Sequence, residues 1–216
     1  MKSLPDAAPR WRRRPTERPQ EILDAALQVF SEQGLARARV EDIATQAGVS
    51  KGTVYLYFDS KEDLFRESVR NRIARTVEML EAAAPPGNSV ARIQRFIDAY
   101  WQHLRQPMFG SIYRLILAEL PQFPGFTQFY GEEVSGRVIE LAAHIVQEGV
   151  DEGRFRPIDP MVAARMIVGL IVQHAIWTSQ PRLFPRVGNR SDADIGNEIK
   201  AFLLSALLPP ATKGTA

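Results

Sequence analysis

Apolar residues recur at helical spacing along most of the chain, and no segment shows the strict alternation of a half-buried strand. Ile22, Ala26, Val29 and Phe30 fall at i, i+4, i+7 and i+8, with Leu23 and Leu27 widening the stripe, so the spacing predicts a helix over about 18–33 that Gly34 ends. A shorter pattern follows over 40–47, with Ile43, Ala44 and Ala47 on one face and Gly48 suited to the turn after it. Val49 can plug the gap to the next element. Ser50 is a good N-cap for a helix over 51–58 whose inner face is Val54 and Phe58. Ser60 with Asp63 makes a capping-box-like start to a long helix over 60–83, carrying Leu64, Phe65, Val69, Ile73, Val77 and Leu80.

The stretch "APPGN" then breaks the pattern. Beyond it, helices are expected over 89–105, 108–120, 125–151, 159–179 and 191–207, separated by Pro107, Pro121–Pro124, Gly153–Pro157 and Pro181–Pro185. The fold class is all-α. The expected organisation is a disordered basic arm over 1–16, a helical DNA-binding unit over 17–66 with its last helix linking to about 83, a ligand-binding and dimerisation domain over 84–208, and a disordered tail over 209–216.

Composition narrows the function classes. A chain of 216 residues that is 45% hydrophobic can bury a real core. It has no cysteine, which removes disulfide scaffolds, thiolate zinc sites and cysteine nucleophiles, and suits a reducing compartment. The N-terminus lacks the apolar run of a secretory signal, and the most apolar later run, Met166 to Val172, falls short of a bilayer span, so a cytoplasmic protein without a membrane partner is expected. Net charge is only +2, but residues 1–75 hold 14 basic and 11 acidic side chains against 13 and 14 in the rest. The positive excess therefore lies at the N-terminal end.

Two short helices joined by a glycine turn, with a helix before them, form the arrangement that sets its second element in a DNA major groove. The inner face accounts for Ile43, Ala44, Val49, Val54 and Phe58. It leaves Lys51, Thr53, Tyr55 and Tyr57 without a core role, and Gly52 would let a partner approach the backbone. Ammonium and hydroxyl groups suit phosphate oxygens, and the threonine methyl and aromatic edges suit thymine methyls. The segments "ILDAALQVFSEQG" and "VEDIATQAGVSKGTVYLYFDSKEDLF" resemble the DNA-binding domain of the TetR family of bacterial transcriptional regulators over residues 20–68. That resemblance implies DNA contacts by Ser50, Lys51, Thr53, Tyr55 and Tyr57, and a phosphate contact by Lys61. It also implies a homodimer on a palindromic operator that represses until a small-molecule effector releases it. Where the family commonly has Ser or Thr just before the second helix, this chain has Arg39. The hydroxyl cap, worth about 0.5 to 2 kcal/mol, is lost, while the guanidinium can hold a phosphate.

Aromatic residues are dense from Phe96 to Tyr130. With polar partners drawn from His103, Arg114, His144 and His174, they suit an apolar or aromatic effector held by Tyr100, Trp101, His103, Phe109, Tyr113, Phe126, Phe129, His144, His174 and Trp177. Val162, Met166, Leu170, Ile195, Ile199, Phe202 and Leu203 are the expected dimer surface, since two strongly apolar helices suit a four-helix interface. Glu140, His144 and Glu148 share a helix face, but three ligands along one helix do not converge on one ion, so no metal and no cofactor is expected. No catalytic motif appears, and an enzyme is not expected. The competing reading is a helical ligand-binding or scaffolding protein whose N-terminal helices dock on protein; exposed aliphatics on that face would favour it.

Overall fold

The computed structural model describes residues 18–106, 109–119, 135–179 and 189–210, with Gln128 and Glu132. Among these residues the structure is helical throughout, with α1 Arg18–Gln33, α2 Val40–Gln46, α3 Lys51–Tyr55, α4 Lys61–Ala83, α5 Ser89–Leu104, α6 Phe109–Glu119, α7 Arg137–Asp151, α8 Pro160–Ser179 and α9 Asp192–Leu207. The expected Arg-rich arm, Pro107, Phe126 and Phe129 lie outside the described residues.

Local chemistry sets the ends. Gly48 adopts φ 65°, and the amides of Gly48 and Val49 return to the carbonyls of Thr45 and Ala44, which closes α2 in a Schellman turn. Ser50 Oγ accepts the Thr53 amide to start α3, and Ser60 Oγ accepts the Asp63 amide to start α4. The Asp63 carboxylate reaches the amide of Asp59 rather than Ser60, so the expected capping box is shifted by one residue. Regular helix in α3 stops at Tyr55, short of the expected Phe58, but the amides of Tyr57 and Phe58 both bond to the Val54 carbonyl, so the last turn is tightened rather than broken.

Two apolar clusters organise the molecule. The head gathers α1, α2, α3 and the first half of α4 around Ile22, Phe30, Ile43, Val54, Leu64 and Phe65. The Phe30 and Phe65 rings meet edge to face, with centroids 5.3 Å apart. Reciprocal amide bonds between Gln20 and Asn71, and the Arg75–Asp24 ion pair, tie α1 to α4 along their length. The body packs α5, α7 and α8 around Phe96, Ile97, Ile145, Val146, Ile167 and Ile171.

Neither cluster stops where the sequence pattern breaks. Leu64, Phe65 and Val69 of α4 belong to the head and its Val77 and Leu80 to the body, with Ile73 against both. Helix α6 contributes Ile112, Leu115 and Ile116 to the head cluster, although it was expected to belong to the C-terminal domain alone. Helices α4 and α6 therefore connect the two cores.

Helix α9 is held on α5 by Trp101, whose Nε1 donates to the Asp192 carbonyl at 2.9 Å. A Cβ at Gly196 would fall 2.6 Å from the Trp101 ring, so only glycine allows this approach. Helix α8 is long and apolar enough by length and composition to cross a bilayer, which corrects the expectation of too short a run. Its Ala163, Ala164, Ile167, Ile171 and Ala175 are nevertheless buried against the body.

Candidate DNA-reading face and effector cavity

The burial pattern of α3 separates two faces. Val54 and Phe58 are 1% and 7% exposed and anchor the helix in the head core, while Tyr55 and Tyr57 are 48% and 43% exposed. Helix packing therefore does not account for the two tyrosines. Gly52 has ordinary backbone geometry, and a Cβ there would meet only Ser50 Oγ, at 3.7 Å. Nothing within the protomer requires its smallness, which leaves the outer backbone open to a partner. Ser50 and Thr53 share a hydroxyl contact of 2.8 Å beside that opening.

The expected cations are engaged locally. Lys51 Nζ lies 2.6 Å from Glu41 Oε1 and 5.8 Å from the Tyr55 ring centroid. Hydrogen bonding with Lys51 holds the Glu41 carboxyl below its ordinary range, and Glu41 holds the Lys51 ammonium above its own. Both groups are on the surface, where such pairs are weak and readily exchanged, so a phosphate can replace Glu41. Lys61 Nζ donates to the carbonyls of Ala36 and Ala38, at 3.3 and 3.2 Å, and so braces the α1–α2 loop. Two of its three N–H donors are thereby used, which leaves one for a phosphate. Arg39 is exposed and caps α2 only through its extended backbone, without a side-chain bond, as expected from the missing hydroxyl.

Leu56 was not singled out in the sequence. It is 80% exposed between the two tyrosines. This is the aliphatic type that would favour docking on protein. A single leucine beside Lys51, Gly52 and two tyrosines also matches the apolar contact that thymine methyls accept.

Between head and body lies a cavity of about 250 Å³ walled by α4 to α8. Of the ten expected effector residues, Tyr100, His103, Phe109 and Tyr113 line it. Trp101 is elsewhere because its ring is committed to Gly196 and Asp192. His144 projects outward from α7 to Glu148 Oε1 at 3.2 Å, and Glu148 also pairs with the buried Arg92, so the supposed ligand stripe is an interhelical polar contact. Among the described residues no group of three His, Cys, Asp or Glu side chains could hold a metal ion. His174 and Trp177, with ring centroids 4.9 Å apart, lie on the other side of α8; His174 borders a separate depression of about 390 Å³ with Arg190, Glu198 and Phe202. Phe126, Phe129 and the side chain of Arg114 lie outside the described residues.

The sequence reading missed the α4 wall, Arg72, Ile73 and Thr76, and also Arg165 of α8. For Arg165 the available signal was a charged side chain set within a strongly apolar helix, whereas the charge-rich α4 offered none for Arg72.

Inside the cavity His103 is kept neutral. Burial, with Arg72 close by, pushes its pKa from 6.5 down to about 4. The Thr76 hydroxyl donates to the Arg72 carbonyl at 2.9 Å, which leaves it to accept from His103 Nε2 at 3.1 Å. A histidine with a depressed folded pKa binds fewer protons than the unfolded chain, so its contribution is present above pH 6.5 and is lost as pH falls towards 4. Thermal unfolding of wild type and His103→Gln across this range is expected to show a smaller acid-induced loss in the variant. Parallel curves would contradict a neutral buried imidazole.

Expected dimer residues divide the same way. Val162, Met166 and Phe202 are 48%, 62% and 62% exposed and Leu170 and Ile195 are half-buried, but Ile199 and Leu203 are 5% and 4% exposed in the protomer core. The last two cannot form a dimer surface, because the stripe on α9 is wide enough to serve two contacts and its inner half faces α5.

Known proteins can now be set beside this geometry. The family model described as bacterial regulatory proteins, tetR family, matches residues 22–68, and that of the AefR-like transcriptional repressor, C-terminal domain, matches 91–203. The fatty acid metabolism regulator protein of Bacillus subtilis is 40% identical over 158 residues, covering 70% of this chain and 78% of its own. The HTH-type transcriptional repressor KstR2 of Mycolicibacterium smegmatis is 28% identical over 206 residues, covering 93% and 95%. A TetR-family regulator structure from Mesorhizobium loti superposes with a TM-score of 0.76 at 24% identity, covering 92% of this chain and 100% of that one.

Proposed function

Because the chain belongs to the TetR family of bacterial transcriptional regulators, and is thus a ligand-responsive, sequence-specific DNA-binding protein, we propose that it is a cytoplasmic repressor. It binds a palindromic operator as a homodimer and leaves it when a small apolar or aromatic effector fills the cavity. The observation that carries this reading is the outer face of α3, where Lys51, Gly52, Thr53, Tyr55 and Tyr57 are turned away from the core that Val54 and Phe58 anchor. The named role of the Bacillus subtilis relative supports an effector with an apolar body.

The coupling follows from shared walls. Ile112 and Ile116 of α6 line the cavity and belong to the head core, while Ile73 of α4 lines the cavity and touches both cores. Filling the cavity therefore presses on the two helices that position the head. Two heads in a dimer must meet major grooves about one helical turn or a multiple apart, so a small rotation of α4 changes their fit.

In this reading Tyr55 is the specificity contact. Tyr55→Ala is expected to reduce discrimination between the operator and a scrambled duplex by about 1 to 3 kcal/mol, roughly 5- to 150-fold, with little change in protein stability because the ring is exposed. Competition binding against both duplexes measures it. Unchanged discrimination would remove Tyr55 from the reading face.

A further inference from the structure

The cavity is apolar over most of its wall, from Ile73 and Leu104 to Val138 and Val168, yet among the described residues its charged groups are two guanidiniums, Arg72 of α4 and Arg165 of α8. No carboxylate stands among the described lining residues. Arg72 is half-buried, its one described hydrogen bond is a long 3.4 Å contact to Gln106, and the nearby Asp24 is taken by Arg75. Arg165 has no hydrogen bond or ion pair among the described residues and is the one Lys, Arg, Asp or Glu of α8.

Arg72 is half-buried against that apolar wall and Arg165 is exposed, and among the described residues each guanidinium keeps most of its five N–H donors unspent. An oxyanion reached by both would take up those donors, because guanidinium forks match carboxylate and phosphate oxygens in bidentate geometry. The Tyr113 hydroxyl adds a neutral donor at the same wall, and burial raises its pKa so that it stays protonated.

We propose that the cavity takes an amphipathic acid, with a carboxylate or phosphate head held by Arg72 and Arg165 and an apolar body along the α5, α6 and α7 walls. This rests on the cavity being the effector site, and adds a charge to the apolar body named above. Its volume lies below the roughly 300 to 1,000 Å³ of sites for drug-sized ligands, so the molecule is compact.

The test uses the full chain and three probes that share a body, decanoate, decyl phosphate and decanol, with phenylbutyrate and phenylbutanol as an aromatic pair. Calorimetric titration is expected to show at least one acid binding 10-fold or more tighter than its alcohol, with decanoate against decyl phosphate deciding the head group. Arg165→Gln, at an exposed position, and Arg72→Gln are each expected to bring acid and alcohol within about threefold of each other, with circular dichroism confirming the fold. Alcohols binding as tightly as acids, no acid binding at all, or an acid preference that persists in Arg165→Gln would overturn the assignment. Operator binding by the wild type, measured on the same preparation, separates the two levels. Operator binding without acid preference removes the head-group assignment only, whereas acid preference without operator binding confirms the site and removes the regulatory reading.

Discussion

Aspartates at Met166 and Phe202 together are expected to convert the proposed dimer to monomers and to lower operator affinity by about 10² to 10⁴-fold. Both side chains are 62% exposed in the protomer, Met166 on α8 with the exposed Met161 and Val162, and Phe202 on α9. An exposed apolar face of this kind needs a partner, and a two-fold axis lets the same face cover itself. Charges brought face to face across such an axis oppose association directly. Because neither side chain serves the protomer core, the monomers keep their fold. The affinity loss is large because two heads joined in one dimer bind with an effective concentration that a single head lacks, an advantage of about 10² to 10⁴-fold. Light scattering at micromolar concentration, beside operator titration, checks both parts. A wild type that is already monomeric, or a variant that remains dimeric, would contradict the assigned face.

Phe65→Ala is the second large effect. Phe65 is 2% exposed, meets Phe30 edge to face and joins α4 to α1 at the centre of the head core. Truncating a buried phenylalanine costs about 3 to 5 kcal/mol, and the lost ring pair accounts for about 0.5 to 1.5 of that. At about 2 to 4 °C per kcal/mol for a chain of this size, the unfolding midpoint is expected to fall by roughly 10 °C. Operator binding should disappear at a lower temperature than in the wild type, since the weakened core is the one that holds α3. Thermal scans with and without operator measure it, and an unchanged midpoint would show that the head does not depend on the α1–α4 contact.

Much of this was legible in the sequence because helix ends are set by local chemistry. Ser50, Ser60 and Gly48 act within one turn of where they stand, so the helix-turn-helix could be placed to within a few residues. The face of α3 was legible for the same reason, because a helix this short has only one way to bury Val54 and Phe58. The cavity was not, because its walls come from five helices and their rotations are fixed by distant contacts such as Trp101 on Gly196. Of the residues chosen by aromatic density and as its polar partners, Tyr100, His103, Phe109 and Tyr113 line the cavity, but the pattern could not separate them from Trp101 or from outward His144. Arg72 and Thr76 escaped notice because α4 reads as a linker when only its apolar stripe is followed. On α9 the stripe of Ile195, Ile199, Phe202 and Leu203 spans both an inner and an outer contact, and periodicity alone does not divide them.

Selection of bound duplexes from a random DNA pool at near-physiological salt, followed by a salt titration of the best binder, bears most directly on the outer face of α3. The expected result is a palindrome whose half-sites lie about one helical turn or a multiple apart, with affinity falling steeply as salt rises because several phosphates are neutralised. A pool that shows no enrichment, with or without acids in the cavity, would mean that Lys51 to Tyr57 serve a partner other than DNA.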